Sequence, residues 1–141
     1  MKLRLTLIST DEEFTFLWQI WLSEKDALKV SLHHQDSGTN LGLLRVDFNS
    51  GHQNPESANE YVPEKFLPYT NKHFTLKEHH IHYHVQTYES LAWAVPLSDD
   101  DFEIKELGRG PSFAADFDRT IRQFAKAINL QTKLTFEASL L

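Results

Sequence analysis

Five of the eight histidines lie between His73 and His84, and four of these fall in the run Glu78-His79-His80-Ile81-His82-Tyr83-His84-Val85. Imidazoles exchange protons near neutral pH and ligate transition metals, so their spacing sets the chemistry open to them. In an extended strand alternate side chains share a face. Ile81, Tyr83 and Val85 then enter the core, Glu78, His80, His82 and His84 line the opposite surface, and His79 points the other way. Alternate residues stand about 6.5–7 Å apart along a strand, from where two rings can converge on one metal, water or phosphate.

Arg45 and Asp47 follow the same parity. Leu44, Val46 and Phe48 take one face of their strand, and Leu43, Arg45 and Asp47 take the other. If that strand neighbours the one carrying His82, the connection between them brings Gly51-His52-Gln53-Asn54-Pro55 over the same surface. The candidate site is therefore Arg45, Asp47, His52, Asn54, His80 and His82. These types match what phosphodiester cleavage needs: imidazoles to move protons, a guanidinium for charge developing on phosphate oxygens, and a carboxylate to orient a ring. His80 and His82 with Asp47 or His84 also suit zinc, manganese or iron, so a divalent transition metal is a second reading. A histidine-rich solvent-facing strand without chemistry and a pH-sensing cluster stand beside these two.

The elements that must hold these residues are mostly strands. Leu3, Leu5 and Leu7 alternate with Lys2, Arg4 and Thr6, and Phe14, Phe16, Trp18, Ile20 and Leu22 alternate in the same way. A helix opened by Thr10 and Glu13 competes for the second stretch, but its aromatic and β-forming content favours a strand. Leu28, Val30 and Leu32 form a third strand. The turn Asp36-Ser37-Gly38-Thr39-Asn40 leads into the Arg45 strand. From residue 49 to 77 alternation stops, and Pro55, Pro63 and Pro68 punctuate a connection longer than the roughly 12–15 residues of ordinary loops. Strand pattern returns over residues 78–86 and 91–97, with Pro96 marking an edge or an end. Gly110-Pro111-Ser112 opens a helix whose Phe113, Phe117, Ile121, Phe124 and Ile128 form one stripe. Residues 133–138 read as a last strand. The expectation is a single α+β domain over residues 1–141, with a mainly antiparallel sheet of six or seven strands and the C-terminal amphipathic helix packed on one face.

With 141 residues there is room for one core. The absence of cysteine removes disulfides, thiolate metal sites and cysteine nucleophiles. A formal charge of -6 is the wrong sign for a chain that holds nucleic acid mainly through phosphates, although clustered histidines could reverse it locally. The lack of a signal-peptide core or long apolar run argues for the cytoplasm and against a membrane partner. Gly108-Arg109-Gly110 lacks the lysine and serine of a phosphate loop, and no GxGxxG occurs, so no nucleotide cofactor is expected. No serine lies in a GxSxG elbow.

The order Leu44-Arg45-Val46-Asp47, His52-Gln53-Asn54-Pro55, His80-Ile81-His82 and Trp93-Ala94-Val95-Pro96-Leu97, then a phenylalanine-rich helix and Asn129, resembles a family of short uncharacterised bacterial and phage proteins. Members of this domain of unknown function show Arg-x-Asp, His-x-Asn-Pro, His-x-His and Trp-Ala segments, and the likeness runs from near Phe14 to the C-terminus. The resemblance implies no activity, but its polar positions fall on the same six residues. Glu56 and Ser57 stand where the family carries glycine and aspartate. Small families on mobile elements often supply toxins, antitoxins or inhibitors of host defence.

Two functions follow as expectations. The first is a small hydrolase-like protein of the RNase or toxin type that acts on a phosphodiester, with His52 and one of His80 or His82 as acid and base. Arg45 would hold the phosphate, Asp47 would orient a ring, and Asn54 would fix the loop or bind substrate. The second is a non-enzymatic phage or mobile-element protein that inhibits a host partner through its acidity, including Asp99, Asp100, Asp101 and Glu103. RNA and a protein are thus the two candidate partners.

Overall fold

The computed structural model of the chain describes residues 1–135. It is an α+β protein with two compact units, one spanning Met1–Asp100 and one beginning at Asp101. The first unit is built on a six-stranded antiparallel sheet formed by β1 (Lys2–Ile8), β2 (Thr15–Leu22), β3 (Leu28–Asp36), β4 (Thr39–Phe48), β7 (His80–Tyr83) and β8 (Trp93–Pro96), in that spatial order. The first four strands are successive hairpins. Gly38, with φ +82°, supplies the left-handed conformation that the β3–β4 turn requires.

Register divides the sheet into two chemically distinct faces, because residues directly opposite each other project to the same side. On one face Ile20, Val30, Val46, Ile81 and Val95 stand in a continuous row across five strands. Each is at most 4% exposed, so this row is core. On the other face one row runs Arg4, Gln19, Ser31, Arg45, His82 and Ala94, and the next runs Lys2, Trp21, Lys29, Asp47, His80 and Pro96.

The strands around the histidines are shorter than their alternation suggests: β7 covers four residues rather than 78–86, and β8 four rather than 91–97. The strand ends at Tyr83, and His84, whose N–H still bonds to the Leu43 carbonyl at 3.1 Å, is exposed rather than enclosed with His80 and His82. Nor is the connection over residues 49–77 featureless. It contains β5 (His52–Gln53) paired with β6 (His73–Phe74) and a 3₁₀ helix over Glu64–Tyr69. From this helix Phe66, 2% exposed, packs its ring 5.8 Å from Tyr83 and 6.2 Å from Trp93.

In the second unit α1 (Pro111–Ala127) starts with proline at its first turn, where a missing N–H costs nothing. It buries Phe117, Thr120, Ile121, Phe124 and Ala125, while Arg122 pairs with Asp118 one turn away at 3.0 Å. Residues 133–135 are not in a strand, and the rest of the strand expected over residues 133–138 lies outside the described residues. No helix among the described residues is long and apolar enough to cross a membrane.

Candidate metal centre and its open side

The antiparallel pairing of β4 with β7 places Arg45 opposite His82 and Asp47 opposite His80. The strand adjacency on which the site depends is therefore present. Its setting differs from the one expected. Asp47, His80 and His82 are all 0% exposed, not part of a solvent-facing surface. The cause is the 49–77 connection, which folds back over this part of the polar face. His52 stacks on His80 at 5.8 Å and meets His82 edge-on at 4.4 Å, and the Phe74 ring lies 4.6 Å from His80.

Inside this enclosure the hydrogen bonds fix the protons. His80 Nδ1 donates to the Glu78 carbonyl at 2.9 Å, and His82 Nδ1 donates to the Leu91 carbonyl at 2.8 Å. A carbonyl oxygen only accepts, so in each neutral ring Nδ1 carries the hydrogen and Nε2 carries a lone pair. Both lone pairs face Asp47, whose Oδ2 lies 3.6 Å from His80 Nε2 and 3.3 Å from His82 Nε2. Arg45 closes one side, donating from Nε to Asp47 Oδ1 at 2.7 Å and from Nη2 to His82 Nε2 at 3.0 Å. Asp47 Oδ2 and His80 Nε2 are left buried with no hydrogen-bond partner. Three acceptor atoms thus converge, with a proton-bearing partner for only one of them.

Electrostatics follow from this arrangement. Burial, reinforced by Arg45 and His52, pushes His82 down to about 4 against the pull of Asp47. Burial acts to raise the Asp47 carboxyl, but hydrogen bonds that His80 and His82 donate from Nε2 once protonated, together with the Arg45 guanidinium, outweigh it and hold the group well below the usual carboxylate range. Burial likewise lowers His52. The site therefore holds a carboxylate and a guanidinium beside a His82 ring that burial keeps neutral at pH 7. One ligand atom each from Asp47, His80 and His82 lie within 4.8 Å of one another, a grouping that could hold a metal ion.

A family model matches residues 1–130 of this sequence. The chain belongs to DUF6978, a family of unknown function. No curated protein and no solved structure matches it.

Of the six residues picked out from the DUF6978 chain's sequence, Arg45, Asp47, His80 and His82 meet directly, and His52 touches both other rings. Asn54, 1% exposed, does different work. Its Oδ1 accepts from the Ala94 N–H at 2.9 Å and its Nδ2 donates to the Ala94 carbonyl at 2.8 Å and the Tyr69 carbonyl at 3.0 Å. One carboxamide thus pairs both backbone groups of a β8 residue as a neighbouring strand would. His52 Nε2–H points to the Ala92 carbonyl at 2.9 Å and to Asn54 Oδ1 at 3.1 Å. His84 stays outside the cluster, and Glu78 pairs with Lys72 at 2.7 Å. In the acidic stretch, Tyr69 and Tyr83 hydroxyls bond to Asp99 and Asp100.

Sequence reasoning missed two parts of this region. The Glu78 and Leu91 carbonyls that orient the rings are backbone groups and leave no mark in side-chain types. The second part is an open hollow of about 320 Å³ beside Arg45, lined also by Lys2, Gln19, Trp21, Lys29, Ser31 and His33. Period-two parity applied to β1, β2 and β3 would have found it, since all these residues share the face of Arg45.

Proposed function

We propose that Asp47 Oδ2, His80 Nε2 and His82 Nε2 bind one divalent transition metal, and that this centre, with Arg45 beside it, acts on a phosphodiester. The observation that carries the metal is the convergence of buried acceptors whose hydrogens are held away by backbone carbonyls. A cation is what such a set lacks, and two imidazoles with a carboxylate are the donors that zinc, manganese and iron accept. Backbone carbonyls on the distal ring nitrogens are the usual outer support of metal-binding histidines. Arg45 Nη2 now occupies the His82 lone pair, so it must yield that bond when metal enters.

A metal held by Asp47, His80 and His82 would supply Lewis acidity, polarising a phosphoryl group and acidifying bound water. Support for a phosphodiester comes from Arg45, whose side chain is 27% exposed while its neighbours are closed off. It is the group through which a phosphate would approach. His52 and Asn54 bond to the β8 segment, which favours a positioning role over direct contact with substrate.

Metal-stripped protein titrated with Zn²⁺, Mn²⁺ or Co²⁺ in a calorimeter should take up one equivalent. His80→Gln and Asp47→Asn, with circular dichroism unchanged, should each weaken uptake at least 100-fold. No uptake by the native chain would leave a proton as the missing cation and end the metal reading. Cleavage of a labelled RNA oligonucleotide should appear with metal and vanish in His80→Gln. RNA that is bound but never cut by the metal-loaded protein would end the reading of this centre as a phosphodiesterase.

A further inference from the structure

The hollow beside Arg45 is a charge anomaly. Among the described residues no carboxylate lines it, while Lys2, Lys29 and Arg45 do, in a chain of formal charge -6. Arg4, on the same face of β1 as Lys2, adds a fourth cation to the row that holds Arg45. Asp47 is the one carboxylate on these two rows, and it is buried and paired with Arg45. Between the two lysines stands Trp21, 38% exposed, directly opposite Lys2 on one side and Lys29 on the other. Lys29 Nζ lies over the indole ring, 5.6 Å from its centroid, and must swing aside to its edge for a base to take that face, while Lys2 stands opposite on the neighbouring strand. Gln19, Ser31 and the His33 ring, whose Nε2 lies 3.0 Å from Ser31 Oγ, supply polar atoms on the floor.

We infer that this hollow is a docking track for single-stranded nucleic acid, with a base stacked on Trp21 and the flanking phosphates drawn to Lys2, Lys29 and Arg45. An exposed aromatic platform between cations is how sequence-tolerant single-strand binding is built. A duplex keeps its bases stacked on one another and offers none to the indole. Arg45 joins the track to the centre: its Nε and Nη2 face Asp47 and His82, and its remaining exposed part lines the hollow. The inference rests on the phosphodiester reading for the class of its ligand, and it does not require a metal.

The test is fluorescence anisotropy of a labelled twelve-nucleotide oligouridine, in EDTA at low salt, so that failure of the metal centre cannot silence it. The native chain should bind. Lys29→Glu and Trp21→Ala should each weaken binding roughly ten-fold or more, and Lys29→Gln should reduce the slope of log affinity against log salt by about 0.7. All three should still take up metal as the native chain does, which separates this result from failure of the centre. Lys126→Glu, on α1, should change nothing. Absence of binding by the native chain, equal affinity for a duplex or for uridine monophosphate, or sensitivity to Lys126→Glu but not to Lys29→Glu would each overturn the track.

Discussion

His80 and His82 each carry a hydrogen that they cannot turn inward. Each Nδ1–H is committed to a carbonyl, at 2.9 and 2.8 Å, in a place without solvent access. Both protons should therefore appear as slowly exchanging downfield resonances in water and should persist when metal binds through Nε2. Their loss on metal addition would show coordination through Nδ1 instead. The same burial gives a pH signature to the metal-free protein. His82 stays neutral in the fold down to about 4, whereas an unfolded histidine takes a proton near 6.5. Between those values the unfolded chain binds more protons, so stability falls as pH is lowered. Asp47 is ionised in both states through that window and adds no slope; its contribution is lost only below the ordinary carboxylate range. Acidifying from pH 7 to 5 should cost about 2 kcal/mol at the His82 position, read from urea melts. His82→Gln should reduce the dependence and leave the part that the likewise lowered His52 and His33 contribute, and an unchanged slope would remove His82 as a source.

Two short contacts decide how well the elements hold the site. Asn54 pairs both backbone groups of Ala94, so Asn54→Ala leaves a buried N–H and C=O unsatisfied and should cost about 2–4 kcal/mol. Asn54→Asp should recover little of this, because it keeps an acceptor but loses the donor. Gly42 in β4 faces His33 beside a register shift. A Cβ there would run into Ser90 Oγ and come within 2.7 Å of Leu91, the residue whose carbonyl orients His82. Gly42→Ala should destabilise the fold by about 1–3 kcal/mol and weaken metal uptake with it; native uptake in this variant would uncouple the Leu91 carbonyl from the centre. Much of this scale was legible in the letters. The alternation around Arg45 and Asp47 and that of His80 and His82 specified which residues share a face, and Pro96 marked the end of β8. The burial of that face was not legible. It depends on where a proline-punctuated connection of irregular pattern comes to rest, and the residues that seal it, Phe74 and His52, sit in strands of two residues, too short to show a period.

At the scale of the whole chain, charge is segregated rather than spread. A formal charge of -6 argues against nucleic acid only if the carboxylates mix evenly with the cations, and on the open half of the polar face they do not. Composition could not show this, because it discards position. Metal should also act on the molecule as a whole: at one hundred times its dissociation constant, a ligand specific to the fold adds about 2.7 kcal/mol of stability. The midpoint of thermal unfolding should thus rise by several degrees with saturating metal in the native chain, and not in His80→Gln. The sheet's two outer strands show a further economy. On β8 the Asn54 carboxamide occupies backbone groups that another chain could otherwise recruit, and on β1 Lys2 and Arg4 place repelling ammonium and guanidinium groups along the opposite margin. Lysine and arginine on an edge strand discourage intermolecular strand addition. Neutralising the β1 pair to test nucleic-acid docking would therefore also strip a safeguard against aggregation, which makes Lys29, in the sheet's interior, the cleaner position to alter.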